Sequence, residues 1–574
     1  SVEYSITANR AVLDIASRNR ETFLFNAWRM GRNSIERGSR DSWTTTPSDV
    51  DQVKRLVARD RAARTEPRAS TTGSVTAAGD ALFQFGRGVD ARYFNEVLRD
   101  PARRDARAYV IPADQPDFLT AVKFVNTLRH NGIEVQRATA PFSASGTRYA
   151  AGSLVVQAAQ AFRPYVLDMF EPQDHPNDFA YPGGPPKRPY DNAGYTLAYQ
   201  MGVHFSRVLE AVSGPFETIA ELATPPAGLV SESNGTTGFL VSHATNDAFI
   251  AVNRALKAKA AVHVLGAPLL SGGHRWPAGT FYIAATPMTS AMLKELARTH
   301  GVSAEGTTAA PGPDAKALHP VRLALWDRYG GSAPSGHTRW LLEQYEFPYE
   351  LVYTKALDAG GLASRYDVIV LPSGAMPTRE SQARDFDQDS VAVPAEYQAR
   401  VGRVSVARTV PSLREFANAG GTVIAVGTSA TLGWYLGLPI TNALVERTAA
   451  GAERDLGADK FYVPGSVLRV ATDTTRTVSY GVARDLDVFY DNSPTFRLGV
   501  EAAARGVRAL ATYASATPLR SGWAWGQQYL EGAAAAVEAP VGLGRVLLFG
   551  PEITFRAQPH GTFKWLFNSI LESR

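Results

Sequence analysis

The stretch that decides the fold is Thr422-Val-Ile-Ala-Val-Gly-Thr-Ser-Ala-Thr431, in which an apolar run leads directly into a turn of small residues. Further apolar runs and helical patterns alternate with it along the same part of the chain. Strands that are apolar throughout and alternate with helices predict a parallel, doubly wound sheet that is covered on both faces. These segments are the predicted strands Val321–Trp326, Tyr349–Tyr353, Val368–Leu371, Thr422–Val426 and Arg545–Phe549, and the predicted helices Thr338–Tyr345, Pro411–Ala419 and Gly561–Leu571.

Upstream of this region, two segments share one order of predicted elements: strand, helix, strand, strand. The first spans residues 108–157 and the second residues 238–284, with Ala121-Val122 matching Ala251-Val252. A period of about 130 residues is too long for a solenoid repeat, so two similar small α/β units are expected. The predicted fold class is therefore multidomain α/β. Its segments are 1–68 (a helical connecting segment), 69–225 (an α/β unit with a proline-rich loop at Tyr181–Tyr190), 226–312 (the second α/β unit) and 313–574 (the doubly wound domain).

Composition excludes several classes of protein. The chain has 574 residues, a formal net charge of +4 and no cysteine, so disulfides, thiolate metal sites and a thiol nucleophile are absent. Basic residues are interspersed with acidic ones, so we expect no nucleic-acid partner. No apolar run approaches the roughly 18–20 residues that cross a bilayer, so we expect no membrane span. Because the sequence begins with Ser1, we expect either a removed leader or a fragment of a longer polypeptide.

Metal-binding and phosphate-binding patterns are weak in this sequence. His130 with Glu134, and the group Glu171, Asp174, His175 and Asp178, are the nearest approaches to ligand sets, and surface positions are the simpler interpretation. The segment from Gly331 to Thr338 follows a predicted strand, as a phosphate-binding loop does, but His337 stands where such a loop has lysine. We expect an ordinary strand-to-helix loop there that lines a cleft.

A hydrolase-like arrangement is one possible source of chemistry. Ser429 lies just after the strand Thr422–Val426, near the position of the nucleophile in a G-x-S-x-G elbow, although Thr431 replaces the final glycine. His560 and Glu552 follow the last strand and could serve as the base and as the acid that orients it. Because serine and threonine at a turn usually serve the turn itself, these three residues remain weak catalytic candidates.

Three stretches together resemble one protein family. They are Asn26-Ala-Trp-Arg-Met-Gly-Arg32, Arg188-Pro-Tyr-Asp-Asn-Ala-Gly-Tyr-Thr-Leu-Ala-Tyr-Gln-Met-Gly202 and His560-Gly-Thr-Phe-Lys-Trp-Leu-Phe-Asn568. They resemble the large bacterial zinc metallocarboxypeptidase-like proteins, which begin with a secreted carboxypeptidase A-type domain. The resemblance covers only the region after that domain, and its last part, His319–Arg574, is similar to class I glutamine amidotransferase domains.

The resemblance implies an accessory, binding and structural region of a secreted or periplasmic protein. Zinc is expected in the peptidase domain, because the family's His-x-x-Glu pattern does not occur in this chain, so no cofactor is expected here and the chain is not expected to be catalytic alone. The implied partner is the N-terminal carboxypeptidase-like domain or chain. The family's amidotransferase-like domains use a cysteine nucleophile, which this sequence lacks. Tyr190, Asp191, Tyr195 and Tyr199 would either frame the approach of substrate or, more simply, pack over a core.

Two other functions stay open from the sequence. The chain could be a structural or assembly protein that forms a homo-oligomer through its amidotransferase-like domain. It could also be a serine hydrolase that uses Ser429 and His560.

Overall fold

The computed structural model describes residues 1–63, 90–378, 393–449 and 451–573. The described chain forms two compact units. The first contains residues 1–114, 126–176 and 205–222, and the second contains residues 115–125, 177–204 and 223–574. The small, polar stretch between Arg68 and Asp80, which predicts an exposed loop or linker, lies outside the described residues. The division into four segments stays a prediction.

The first unit begins with helices whose surface is largely open. Helix α1 (Val2–Arg18) has no buried residue, and α2 (Arg20–Gly38) buries only Gly38. A Cβ on Gly38 would lie 2.2 Å from the carbonyl oxygen of Ala158, so only glycine permits this close approach of two backbones. Helices α3 (Pro47–Ala63) and α4 (Ala91–Leu98) pack together through Val53, Tyr93 and Val97. The prediction of N-terminal helices is confirmed.

Two five-stranded arrangements repeat one strand order. The elements of the first are β1 (Ala108–Ile111), α5 (Phe118–His130), β2 (Gln136–Ala138), β3 (Phe142–Ala144), β4 (Thr147–Tyr149), β5 (Leu154–Gln157), α6 (Arg163–Phe170), α7 (Leu197–Gln200), β6 (Ser206–Val208) and β7 (Phe216–Thr218). Those of the second are β8 (Val230–Ser231), β9 (Gly238–Val241), α8 (Ala248–Lys257), β10 (Val262–Val264), β11 (Leu269–Ser271), β12 (His274–Trp276), β13 (Phe281–Ala284), α9 (Pro287–His300), β14 (Ala304–Thr307) and β15 (Lys316–Leu318).

The first sheet has the order β6-β1-β5-β2-β7, and the second has β14-β9-β13-β10-β15 with β8 added beside β14. The four corresponding strand pairs are antiparallel in both sheets, and each sheet is accompanied by a separate hairpin, β3–β4 or β11–β12. The repeat predicted from the sequence is therefore real at the level of topology.

The third region is built on a parallel sheet. Its elements are β16 (Leu323–Trp326), α10 (Ala333–Gln344), β17 (Glu350–Val352), α11 (Thr354–Asp358), β18 (Val368–Leu371), α12 (Thr409–Asn418), β19 (Thr422–Val426) and α13 (Leu432–Tyr435), followed after a long insertion by β29 (Gly544–Phe549) and α14 (Phe563–Leu571). The parallel strands lie in the order β17-β16-β18-β19-β29. Numbered by their place in the chain, this order is 2-1-3-4-5, the doubly wound flavodoxin-like arrangement. The predicted fold class is confirmed.

The insertion between α13 and β29 extends this sheet with antiparallel strands. It contains β20 (Ile440–Asn442), β21 (Val445–Arg447), β22 (Glu453–Asp455), β23 (Ser466–Thr472), β24 (Asp485–Tyr490), β25 (Phe496–Leu498), β26 (Arg508–Thr512), β27 (Leu519–Ser521) and β28 (Ala534–Val541). Strand β28 pairs with β29 along its length and continues the sheet toward β24. The three parallel strands β16, β18 and β19 are fully buried, so their polar chemistry is confined to the loops at their ends.

One local prediction is corrected. The helix after β16 begins at Ala333 rather than at Thr338, so most of the predicted loop Gly331–Thr338 is the first helical turn. Proline at the start of this helix explains the earlier beginning, since its fixed φ suits the first turn and its missing N–H costs nothing there.

In the part of the chain that the structure describes, no helix combines the length and the apolar character needed to cross a bilayer.

Candidate functional site

The carboxyl ends of the parallel strands form the first candidate site. Strand β16 has β17 on one side and β18 on the other, so the connections from β16 and β17 leave in opposite directions across the sheet. Ligands of doubly wound sheets bind in the crevice that this reversal opens. A cavity of about 550 Å³ lies there, lined by the loop after β16, the loop after β18, residues 402–404 and Thr428. We call it the switch-point cavity.

The switch-point cavity is polar and carries positive charge. Arg328 and Arg403 line it, and no carboxylate does among the described residues. The Nε of Arg328 donates to the carbonyl oxygen of Gly331 at 3.0 Å, which holds the guanidinium beside the loop. Gly330 and Gly331 have φ of +82° and +80° with open space at their Cβ positions, a conformation that favours glycine. The lining therefore favours a small anion with hydrogen-bond acceptors.

The turn after β19 lacks the side chain that an elbow nucleophile would need. The residue with φ of +58° at this turn is Gly427, where a strained strand-to-helix elbow presents its nucleophile. A Cβ at this position would lie 2.1 Å from Oε1 of Glu552 and 2.6 Å from Oγ of Ser373. The turn is closed over these two side chains and has no room for a reactive group.

Ser429 is fully buried, and its hydroxyl group holds the loop that lines the cavity. Its Oγ donates to the carbonyl oxygen of Pro372 at 2.6 Å and accepts from the backbone N–H groups of Ala375 and Met376 at 3.0 and 3.1 Å. The donor and both acceptor positions of the hydroxyl are therefore occupied. This arrangement explains why serine follows the turn: it fixes the end of β18 against the end of β19.

Glu552 follows β29, and its carboxyl group is enclosed by protein, although the residue as a whole keeps some exposed surface. Burial raises the pKa of Glu552 to about 7, against the opposing effect of a hydrogen bond with Ser373. Ser373 Oγ lies 3.1 Å from Thr428 Oγ1, and Thr428 lines the cavity. Two hydroxyl groups therefore connect a carboxyl group that can hold a proton near neutral pH to the wall of the cavity.

His560 lies in a different environment. Its Nδ1 is 2.8 Å from the carbonyl oxygen of Gln558, and its ring lies 4.5 Å from that of Phe563. Burial, with Lys123 nearby, lowers the pKa of His560 to about 4, so the imidazole is neutral at pH 7. Among the described residues, no hydrogen bond or ion pair joins Ser429, His560 and Glu552 to one another. The structure thus brings Glu552 to the turn after β19 but gives Ser429 and His560 separate partners.

The tyrosine-rich loop is divided among several contacts. Asp191 accepts two hydrogen bonds from the guanidinium group of Arg556, at 2.9 and 2.6 Å, which lowers the pKa of Asp191. The ring of Tyr199 lies 4.6 Å from the guanidinium carbon of Arg520 and is half-buried. Tyr190 is fully exposed, and Tyr195 is about one-third exposed. The assignment of these four residues to the approach of substrate stays a prediction.

The acidic group suggested as a cation site is used in other contacts. Glu171 accepts from the hydroxyl group of Tyr109 and from Arg207, at 2.6 and 2.7 Å. Asp174 accepts from the backbone and the hydroxyl group of Ser48, and Asp178 pairs with Lys187. Within the described ranges, no group of three or more histidine, aspartate or glutamate side chains is arranged to hold a metal ion.

Gly331 belongs to the loop that the sequence predicts to line a cleft, but the other residues that line the switch-point cavity were not predicted. Arg328 directly follows β16, and Met376 follows β18, so the signal was their position after the first and third strands of the sheet. Arg403 had no such signal, because it lies in a long connection before α12 whose path the strand pattern does not fix.

Comparison with protein-family models finds no match, and comparison with curated proteins finds none either. Among solved structures, the chain is similar to PurLQS from Thermotoga maritima, with 14% identity over 44% of this chain and 98% of the other, at a TM-score of 0.27. It is also similar to a glutamine amidotransferase from Thermotoga maritima, with 11% identity over 44% of this chain and 97% of the other, at a TM-score of 0.27.

A third similar structure is the β-galactosidase from Rahnella sp. R3, with 12% identity over 49% of this chain and 33% of the other, at a TM-score of 0.23. At such low TM-scores these likenesses carry no argument about function. The flavodoxin-like arrangement of the C-terminal region rests on its own strand order.

Proposed function

We propose that this chain is a binding region that holds a small anionic ligand in the switch-point cavity and performs no nucleophilic chemistry there. Two observations together carry the proposal. Two arginines line this cavity, and the neighbouring turn at Gly427 has no reactive side chain. Arginine recognises carboxylate and phosphate groups through its fork of donors, so both ligand chemistries fit.

Ligand-induced stabilisation tests this proposal. The full chain is heated with inorganic phosphate, adenosine 5′-monophosphate, L-glutamate or glutarate, each at millimolar concentration. A ligand that binds only the folded state raises the melting temperature, and the carboxylate and phosphate probes separate the two chemistries. We expect at least one probe to raise it in the wild type but not in Arg328→Ala. No shift with any probe, or an equal shift in the variant, would refute the proposal.

The matched control is Arg339→Ala. Arg339 lies on α10 outside the cavity and makes an exposed ion pair with Glu343, at 3.5 Å. Exposed pairs of this kind contribute little to stability, so this variant should respond to the probes as the wild type does.

We propose further that the region is accessory to a secreted or periplasmic zinc carboxypeptidase-like protein. The resemblance supports this, and so does the open apolar surface of α1 and α2. Leu24, Trp28 and Met30 are each at least 60% exposed, and α1 buries no residue. Large apolar surfaces of this kind mark sites where another protein packs. The partner would be the peptidase domain, which would carry the zinc, whether on the same polypeptide or on a separate chain.

Co-elution with a purified bacterial carboxypeptidase A-type zinc domain tests the accessory role. We expect a complex with the wild type that is lost in the Leu24→Glu, Trp28→Glu double variant. Arg29→Ala is the control, since Arg29 lies on the polar side of the helical wheel of α2. Absence of a complex with the wild type would end this part of the proposal.

The two other functions left open by the sequence have direct tests. Covalent labelling of Ser429 by a fluorophosphonate probe would favour the serine hydrolase and contradict the binding role. A homo-oligomer at micromolar concentration in light scattering, unaffected by Leu24→Glu, would favour an assembly role for the C-terminal domain.

A further inference from the structure

A second, larger cavity lies in the second compact unit and shares no lining residue with the switch-point cavity. It measures about 1,000 Å³ and is lined by residues at the carboxyl ends of α8, α10 and α14 and by Pro320 and Val321. We call it the helix-end cavity. Its volume is at the upper end of the range for small-molecule sites.

The walls of the helix-end cavity are apolar. Leu256, Phe347, Ile570 and Leu571 line it, and each belongs to the principal hydrophobic core of this region. The Phe347 ring stacks on the ring of Phe567, with the two centroids 5.0 Å apart. Apolar walls offer water few hydrogen bonds. Transfer of an apolar ligand from water into this cavity is therefore favourable.

The rim carries an excess of positive charge. Arg254 lines the cavity and is paired with Glu346, whose carboxylate accepts three hydrogen bonds of 2.7 to 3.1 Å from the guanidinium group. Lys257 and Lys259 also line the cavity, are exposed, and make no ion pair with a described residue. The dipole of α8 favours a cation in its last turn, which accounts for Lys257 alone.

Backbone strain gives a second, independent observation. Lys259 and Glu346 each have φ of +58°, and both line this cavity. Glycine is the residue that suits the left-handed position after a helix, and other residues pay a steric penalty there. Strained residues cluster at functional sites, so the presence of lysine rather than glycine at residue 259 points to a role for its side chain.

We infer that the helix-end cavity binds an amphiphilic carboxylate, with its aliphatic chain against Leu256, Phe347 and Leu571 and its head group between Lys257 and Lys259. The apolar walls select the chain, and the unpaired lysines select the charge of the head group. This inference does not depend on the function proposed for the switch-point cavity.

Calorimetric titration of the full chain with dodecanoate, below its micelle concentration, tests the inference. Dodecan-1-ol is the neutral matched probe, since it has the same chain without the charge. We expect dodecanoate to bind at least tenfold more tightly than the alcohol, and raising the salt concentration to 0.5 M should narrow the difference. No heat of binding with dodecanoate, or equal affinity for the two probes, would overturn the inference.

Two lysine variants locate the head group. Lys257→Ala combined with Lys259→Gly should weaken dodecanoate about tenfold and leave dodecan-1-ol unchanged. Lys259→Gly alone should leave the melting temperature unchanged or higher, because glycine relieves the strain at φ of +58°. Lys294→Ala is the control, since Lys294 is exposed and does not line the cavity. Unchanged dodecanoate affinity in the double variant would refute the assignment of the head group.

Ala258→Trp tests where the aliphatic chain of the ligand binds, because the new indole would fill the cavity. We expect loss of both probes with an unchanged circular dichroism spectrum; if that variant does not fold, the lysine variants still decide. If neither probe binds and light scattering instead shows a dimer that Ala258→Trp abolishes, the occupant is a second copy of the chain and the inference is wrong.

Discussion

The switch-point cavity and the helix-end cavity differ in what shapes them. In the first, Gly427, Ser429 and Glu552 are held by backbone turns and hydrogen bonds at the ends of buried strands. In the second, most of the walls are aliphatic and aromatic side chains of the core, and the charged groups lie at the rim. We therefore expect the first site to respond to changes in geometry and protonation, and the second to respond to changes in side-chain volume.

The largest expected effect is in the helix-end cavity. Phe347→Ala removes a buried ring that packs on Phe567, and we expect the free energy of unfolding to fall by about 3–5 kcal/mol. Chemical denaturation measures this loss. Leu543→Ala, at a side chain 87% exposed, should change it by less than about 0.5 kcal/mol. A loss below about 1 kcal/mol in Phe347→Ala would show that packing does not hold this cavity.

The turn at Gly427 gives the corresponding test of geometry at the switch-point cavity. In Gly427→Ala the new methyl group meets Glu552 and Ser373, and we expect a loss of about 3 kcal/mol. Gly437→Ala is the matched control, because φ there is +65° and a Cβ would meet nothing within 4 Å, so only the backbone strain of about 1 kcal/mol remains. Equal losses in the two variants would mean that the enclosure over Glu552 is not tight.

Much of this fold could be predicted from the sequence. The alternation of apolar strands and helices predicted the doubly wound sheet, and the identical dipeptides at Ala121 and Ala251 predicted the repeated topology. The start of α10 was not predicted, because Pro334 resembles a helix breaker when it in fact lies in the first turn of the helix. The pattern of small residues around Ser429 could not reveal that Gly427 occupies the strained position, since φ is a property of the folded turn.

The protonation of Glu552 should make stability depend on pH. Its pKa rises from an ordinary value of 4.5 to about 7, so the folded state binds a proton that the unfolded state has lost between these values. Stability from this group is therefore complete below pH 4.5 and is lost as the pH rises to about 7. We expect Glu552→Gln to be more stable than the wild type by about 2–3 kcal/mol at pH 8 and to differ little at pH 5.

Denaturant unfolding of both proteins across that pH range measures the effect. Glu531→Gln is the control, because Glu531 is exposed and its substitution should leave the pH profile unchanged. Parallel profiles for the wild type and Glu552→Gln would contradict the enclosed, proton-binding carboxyl group.

Substitution of Ser429 tests whether its hydroxyl group is structural or catalytic. Ser429→Ala removes the acceptor that the Met376 N–H uses and leaves the Ala375 N–H with the carbonyl oxygen of Pro372, at 3.1 Å, so we expect a loss of about 2 kcal/mol in the free energy of unfolding. Thr448→Ala, at a half-buried hydroxyl group outside this network, should cost less than about 1 kcal/mol. A variant as stable as the wild type would return Ser429 to the list of reactive candidates.

The measurement that tests the central claim most directly is a calorimetric titration of the full chain with the anionic probe that stabilises it most, beside the Arg328→Ala, Arg403→Ala double variant. Both arginines line the switch-point cavity. Our account predicts one binding site per chain and at least a tenfold loss of affinity in the double variant, with the probe recovered chemically unchanged. Undiminished binding in the variant, or conversion of the probe by the wild type, would contradict it.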